Sequence, residues 1–212
     1  MPRKKHTLVP QLGVRERLLE TADHLFYKEG VRAVGIDRVL AEAGAAKASL
    51  YSHFGCKDDL VAAYIERRVA GTRSQIEAYL ASIPPNERAL RFFDWVVDWV
   101  TSHDFRGCPL QHIVAEISDP KHPARAVAAA QREWLRARFL EWSKATGAAN
   151  PLATAGALIV LFDGAIAASE QDGPQRARDA RWTAMQLLSR SRGLAIRFGN
   201  IPAKSRVCTS TQ

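Results

Sequence analysis

The stretch GVRAVGIDRVLAEAGAAKASLYSHFGCKDDL, residues 30–60, decides the fold. It holds two short runs of helical period. In the first, over Ile36–Ala43, the residues Ile36, Val39, Leu40 and Ala43 fall at i, i+3, i+4 and i+7, the spacing of a helix with one apolar side. In the second, Leu50 and Phe54 stand one turn apart within Ala46–Phe54. Gly44 lies between them, where the chain must turn through a positive φ that glycine adopts without strain. Gly30 and Gly55 bound the pair as C-terminal helix stops. Two short helices on a glycine turn make a helix-turn-helix when a third helix braces them. The residues from about Val14 onward supply the brace, because Leu18, Ala22, Leu25 and Phe26 recur at i, i+4, i+7 and i+8.

With Leu50 and Phe54 turned inward, the second short helix presents Lys47, Ala48, Ser49, Tyr51, Ser52 and His53. These side chains are short or hydrogen-bonding, which is what a helix entering the major groove requires. Lys47 and Lys57 bracket the helix, and each can meet a phosphate. The Tyr51 hydroxyl can donate to a phosphate oxygen while its ring braces against the sugar. Ala48 lets the helix N-terminus approach the duplex, where its dipole and free N–H groups favour an anion. Charge points the same way. Thirty Lys and Arg against 22 Asp and Glu leave a net +8, and a basic surface gains affinity for a polyanion by releasing condensed counterions.

In these residues the chain resembles the tetracycline-repressor-like (TetR) family. The likeness rests on Ala22-Asp23-His24-Leu25-Phe26, Gly30-Val31, Asp37-Arg38-Val39, Ala43-Gly44, the run Lys47–Phe54 and Lys57-Asp58-Asp59-Leu60. The resemblance implies a homodimer on double-stranded operator DNA of palindromic sequence. It also implies a helical effector-binding and dimerisation domain after the head, with its last two long helices in a four-helix interface. The expected function is a repressor released from its operator by a small-molecule effector. Five positions depart from the family pattern. Ala46 stands where a Ser or Thr often caps the recognition helix, a loss of about 1 kcal/mol in typical hosts. Gly35 and Ile36 stand where a hydroxyl residue often meets phosphate. Ala48 replaces a common Gly, and Leu40 a common Ala.

Downstream, the pattern stays helical. The sequence predicts helices over Lys57 to about Ala81, Arg88–His103, Cys108 or Pro109 to near Asp119-Pro120, Pro123–Thr146, Pro151–Gln171 and Gln175–Ser191. Proline and glycine punctuate these runs at Pro84-Pro85, Gly147 and Gly173-Pro174. Nothing reads as a strand, so the predicted class is all-α. The expected organisation is a basic arm (1–13, with Arg3, Lys4 and Lys5), a helix-turn-helix domain (14–56), a helical effector and dimerisation domain (57–192) and a basic tail (193–212).

Within the second domain, Phe92, Trp95 and Trp99 cluster on one helix face and read either as pocket lining or as plain core. His103, Cys108 and His112 complete the candidate effector set. Cys108 and His112 share a helical face, yet no fourth ligand stands at a recognisable spacing, so neither metal nor cofactor is expected. Asp163 sits in an otherwise apolar run and needs a basic group, solvent or a ligand; a partner across a dimer interface is one candidate. Small residues along 155–168 would let two helices approach closely. They give a candidate interface of Ala157, Leu161, Gly164, Ala165 and Ala168, joined by Trp182 and Met185, and charge at Ala165 or Ala168 is expected to yield monomers.

Other classes fit less well. The sequence has no Gly-rich phosphate loop, no Gly-x-Ser-x-Gly elbow and no His-Glu-x-x-His, which argues against an all-α enzyme. A helical adaptor that had lost DNA binding would not need the outward polar set from Lys47 to Lys57. Cys56, Cys108 and Cys208 are odd in number and far apart, as suits free thiols in a reducing cytoplasm. Met1–Pro10 is basic with no apolar core behind it, unlike a secretory signal. Leu152–Ala168 is rich in Ala and Gly and carries Asp163, so it reads as a buried or interface helix rather than a membrane span.

Overall fold

Gly44 adopts the left-handed conformation, with φ +59° and ψ +43°, and the helices on either side of it take the expected positions. The computed structural model describes residues 12–191. Among these lie nine helices: α1 (Val14–Glu29), α2 (Ile36–Ala43), α3 (Lys47–Phe54), α4 (Lys57–Leu80), α5 (Arg88–Val100), α6 (Pro109–Glu116), α7 (Pro123–Ala145), α8 (Pro151–Asp172) and α9 (Gln175–Ser191). The described residues include no strand, and the all-α expectation holds. Most of the predicted arm, the tail and Cys208 lie outside the described residues.

Two helices end earlier than their periodicity suggests, each for a local reason. α5 stops at Val100 rather than His103. There the Thr101 hydroxyl donates to the carbonyls of Val97 (3.0 Å) and Asp98 (2.9 Å), and that of Ser102 donates to Trp99 (2.7 Å). Such back-bonding competes with continuation of the helix. α6 stops at Glu116, because Ile117 is already extended at φ −105° and ψ +104°.

The apolar side chains form two cores. The head core gathers Leu18, Leu25 and Phe26 of α1, Val39 of α2, Leu50 and Phe54 of α3, and Leu60 to Val69 of α4. It also takes in Ile113 of α6 and Ala124 of α7, so the core of the head draws on residues well beyond position 56. The body core starts at Ile76 and Leu80 on the far half of α4 and continues through α5, α7, α8 and α9. Its centre is Phe92, fully buried. The Phe92 ring lies 5.0–5.9 Å from those of Phe93, Trp95, Phe139, Trp142 and Phe162, within the range where edge-to-face and offset pairs are favourable. One uninterrupted helix, α4, thus serves both cores.

By length and composition α8 could cross a membrane, but one side of it, including Leu158, Phe162 and Ile166, packs into the body core. Asp163 is satisfied within the same chain. Both its carboxylate oxygens accept from the Arg132 guanidinium, at 2.7 and 2.5 Å, in place of the partner across a dimer interface. Ala165 also departs from expectation. It is 3% exposed and packed in the body core, so a charge there would disrupt the protomer before testing any interface. The outward face of α8 carries Gly156, Ala157, Val160 and Gly164, and α9, packed against α8, leaves Trp182 exposed.

Candidate DNA-binding face and effector cleft

The frame of the head is held by polar ties as well as by its core. Arg17 of α1 donates from Nε to the Ala43 carbonyl at the end of α2 (3.2 Å). Arg38 of α2 reaches back to both carboxylate oxygens of Glu29 at 2.5 and 2.8 Å. Asp23 of α1 and Arg68 of α4 form a two-bond pair at 2.6 and 2.7 Å, and the guanidinium lies 4.1 Å from the Tyr27 ring centroid. Held this way, α3 buries Leu50 and Phe54 and leaves Lys47, Ala48, Tyr51, Ser52 and His53 exposed, with Ser49 half-buried. Tyr51 is 50% exposed, a large aromatic group turned to solvent on a short helix. The Ser52 hydroxyl donates to the Ser49 carbonyl (3.0 Å).

Neither α2 nor α3 has a side chain capping its N-terminus; Gly35 and Ala46 occupy those positions. In the first turn of α3 the Ser49 N–H donates to the Ala46 carbonyl (3.0 Å), and those of Lys47 and Ala48 are left to water or to an anion that approaches them. Lys57 is more internal than its sequence position suggests. Its ammonium donates to the Val31 carbonyl at 2.7 Å, and burial pushes its pKa down. It ties the loop after α1 to the start of α4, leaving two of its three protons for other acceptors.

Besides the shared helix α4 and the core residues lent by α6 and α7, hydrogen bonds tie the head to the body. The Tyr27 hydroxyl accepts from the Arg106 amide (2.9 Å) and donates to the Gly107 carbonyl (3.2 Å). Glu116, at the end of α6, accepts from the Arg32 amide (3.0 Å). Gly30, at φ +92°, sits so close that a Cβ there would meet the Glu116 carboxylate at 2.9 Å.

The candidate effector residues do not converge on one site. Phe92 is core. Trp95, Trp99 and His103 line an open groove of about 1130 Å³ between α1, α4, α5 and the loop that follows, where Trp95 and Trp99 stack at 5.4 Å. Cys108 lines a separate cleft of about 570 Å³ between α6, α7 and α8. His112 lines neither; its Nε2 faces the Glu170 carboxylate at 3.3 Å. Among the described residues no three His, Cys, Asp or Glu side chains gather as a metal site would require. The α6–α7–α8 cleft is walled mainly by residues that periodicity had assigned only to helices, among them Val114, Arg125, Ala128, Ala129 and Arg132. A signal was present: arginines seven residues apart on α7 with alanines between them leave a shallow, charged-edged trough on one helix face.

A short polar helix projecting from a braced three-helix head, followed by an all-helical body with a partly open cleft, defines a helix-turn-helix DNA-binding protein. Residues 18–64 match the family model described as bacterial regulatory proteins, tetR family. A crystal structure of a TetR-family transcriptional regulator from Streptomyces coelicolor superposes with a TM-score of 0.80 at 35% identity, over 84% of this chain and 96% of that one. A second, of a TetR-type regulator from Streptomyces avermitilis, gives 0.77 at 32% identity over 85% and 98%. The transcriptional regulator LmrA of Bacillus subtilis is 29% identical over 72% of this chain and 84% of its own length. The transcriptional activator FasR of Mycolicibacterium smegmatis is 30% identical, over 58% of this chain and 56% of its own length. The chain belongs to the TetR family of transcriptional regulators.

Proposed function

We propose that this protein is a cytoplasmic homodimeric repressor. In this reading it occupies a palindromic operator and leaves it when a small molecule enters the cleft between α6, α7 and α8. The observation that carries the DNA-binding half is the α3 surface: Lys47, Tyr51, Ser52 and His53 turned outward over buried Leu50 and Phe54, beside a helix N-terminus without a side-chain cap. Phosphate contacts from Lys47, Tyr51, Lys57 and the first-turn amides set the register. Base edges are then read by Ser49, Ser52 and His53, with Ala48 close to the groove floor.

Dimerisation is assigned to the outer face of α8 and α9. Leu152, Val160 and Trp182 are 72%, 71% and 61% exposed, and Gly156 and Gly164 have open space where a Cβ would stand. Large exposed apolar side chains beside glycines suit close helix approach across a two-fold axis. Ala157, Leu161, Ala168 and Met185 join that face, and Ala165 does not. Val160→Glu should give monomers that keep their helical content, as read by sedimentation and circular dichroism.

The central experiment selects bound fragments from genomic DNA, then measures affinity for the enriched site across a salt series. Binding should weaken steeply as salt rises, and Lys47→Ala should lower the slope by about one. No enrichment of any duplex at low ionic strength would end the regulator reading. A reporter fused to the enriched promoter checks the sign of control. Repression predicts higher output when the gene is deleted, and lower output would make the protein an activator, as FasR is named.

A further inference from the structure

The lining of the α6–α7–α8 cleft holds three charged side chains, Arg125, Arg132 and Asp163. Arg132 is committed to Asp163 through two bonds, and that pairing holds its pKa up. Arg125 is two turns away along α7 and has no such partner. Among the described residues no carboxylate lies within salt-bridge distance of it; instead its Nη1 donates to the Val114 carbonyl at 3.0 Å. That carbonyl belongs to the last turn of α6, where helical acceptors lack intrahelical donors. The rest of the lining is mostly apolar, including Leu110, Leu135 and Phe162 with the methyls of Ala128 and Ala129. The cleft thus carries one uncompensated positive charge at the edge of an apolar trough, in the size range of small-ligand pockets.

We infer that the effector is an amphiphilic organic carboxylate whose apolar chain lies over Ala128 and Ala129, against Leu135 and Phe162, while its carboxylate takes the Arg125 guanidinium. This rests on the reading of the cleft as the effector seat. A planar guanidinium binds a carboxylate through two parallel hydrogen bonds, stronger than its single bond to a neutral carbonyl. A cationic ligand would face Arg125 and would have to separate Arg132 from Asp163. A neutral one would leave Arg125 where it is.

The same step supplies a route to the DNA. A carboxylate that draws Arg125 away from Val114 releases the last turn of α6. One residue before Val114, Ile113 is buried in the head core; two residues after it, Glu116 holds the Arg32 amide. The anchor of the head on the body is therefore loosened by the ligand that fills the cleft.

The test uses the full-length protein with octanoate, octanamide and octylamine, reading binding by calorimetry and operator release by fluorescence anisotropy. Octanoate should bind roughly tenfold more tightly than either analogue and should be the compound that releases DNA. Arg125→Gln should bring octanoate down to the octanamide level, and Arg125→Lys should restore part of the difference. Equal binding of octanoate and octanamide, a preference that survives Arg125→Gln, or no binding of octanoate overturns the assignment. Ala129→Trp separates this from the broader reading, because Ala129 is exposed and a bulky ring there fills the trough. If octanamide binds as well as octanoate and both are blocked by that substitution, the cleft stands as a ligand seat and only its charge preference falls. If a ligand that releases DNA is indifferent to Ala129→Trp, the cleft is not the seat, and the carboxylate assignment falls with it.

Discussion

The head and the body are built on opposite uses of the same chemistry. In the head, the informative side chains point outward: a few local constraints fix three helices, and Lys47, Tyr51, Ser52 and His53 stand on the surface they create. In the body, they point inward. Phe92 gathers rings from α5, α7 and α8, and the cleft exists only because three successive helices meet around small residues. A surface of the first kind is specified by its own segment, whereas an interior of the second kind depends on every segment around it. Substitutions should therefore act locally in the head and broadly in the body.

The sharpest way to break that contrast is Phe92→Ala. Removing a fully buried ring that touches five others should cost about 3–5 kcal/mol, seen as a lower denaturant midpoint with loss of near-ultraviolet aromatic signal. Leu50→Ala, fully buried in the head, should cost about 2–4 kcal/mol and abolish operator binding. The body's aromatic signal should persist; its collapse would mean that the two cores unfold as one unit. A smaller effect is expected of Tyr51→Phe. The side chain is half exposed, so stability should stay unchanged while affinity for DNA falls roughly fivefold with one lost hydrogen bond. Ala46→Ser offers α3 the cap it lacks and should raise the stability of the head by about 0.5–1 kcal/mol. It should bring no gain in DNA affinity, because the new hydroxyl would compete for the amides that the proposal gives to phosphate.

The last effect is silent at neutral pH. Burial pushes the Cys108 thiol pKa up. The unfolded chain therefore gives up this proton first, and stability falls as pH rises above about 8.5, the ordinary thiol value. Cys108→Val should flatten that alkaline limb of the stability curve. The exposed Cys56 should be alkylated well before Cys108, as peptide mass spectrometry would show.

Much of the head was legible because its signals are short-range. Gly30, Gly44 and Gly55 mark helix ends whatever surrounds them, and Leu50 and Phe54 face inward because they lie one turn apart. The segment also told which side chains would face out. It could not tell that Lys57 turns back to the Val31 carbonyl, since that depends on where the loop after α1 comes to lie. In the body, helix positions were legible and partnerships were not. Arg132 finds Asp163 across 31 residues, and Tyr27 finds Gly107 across 80; no periodicity carries such information. The aromatic stripe of α5 split between core and groove because three turns of helix meet different neighbours along their length. Ala165 turned inward for a related reason: α8 carries small residues on its inward and its outward face alike, so composition alone does not say which small residues face its own core.

α4 carries a geometric consequence. Its 24 residues make a shaft about 36 Å long, gripped by the body at Leu80 and by the head at Lys57–Val69. A pivot of about 5° near its body end swings the head end through about 3 Å, and with a two-fold mate the spacing between recognition helices changes by about twice that. Operator grooves recur with the pitch of the duplex, so in the proposed dimer this leverage would turn a small rearrangement in the body into a mismatch between recognition helices and grooves.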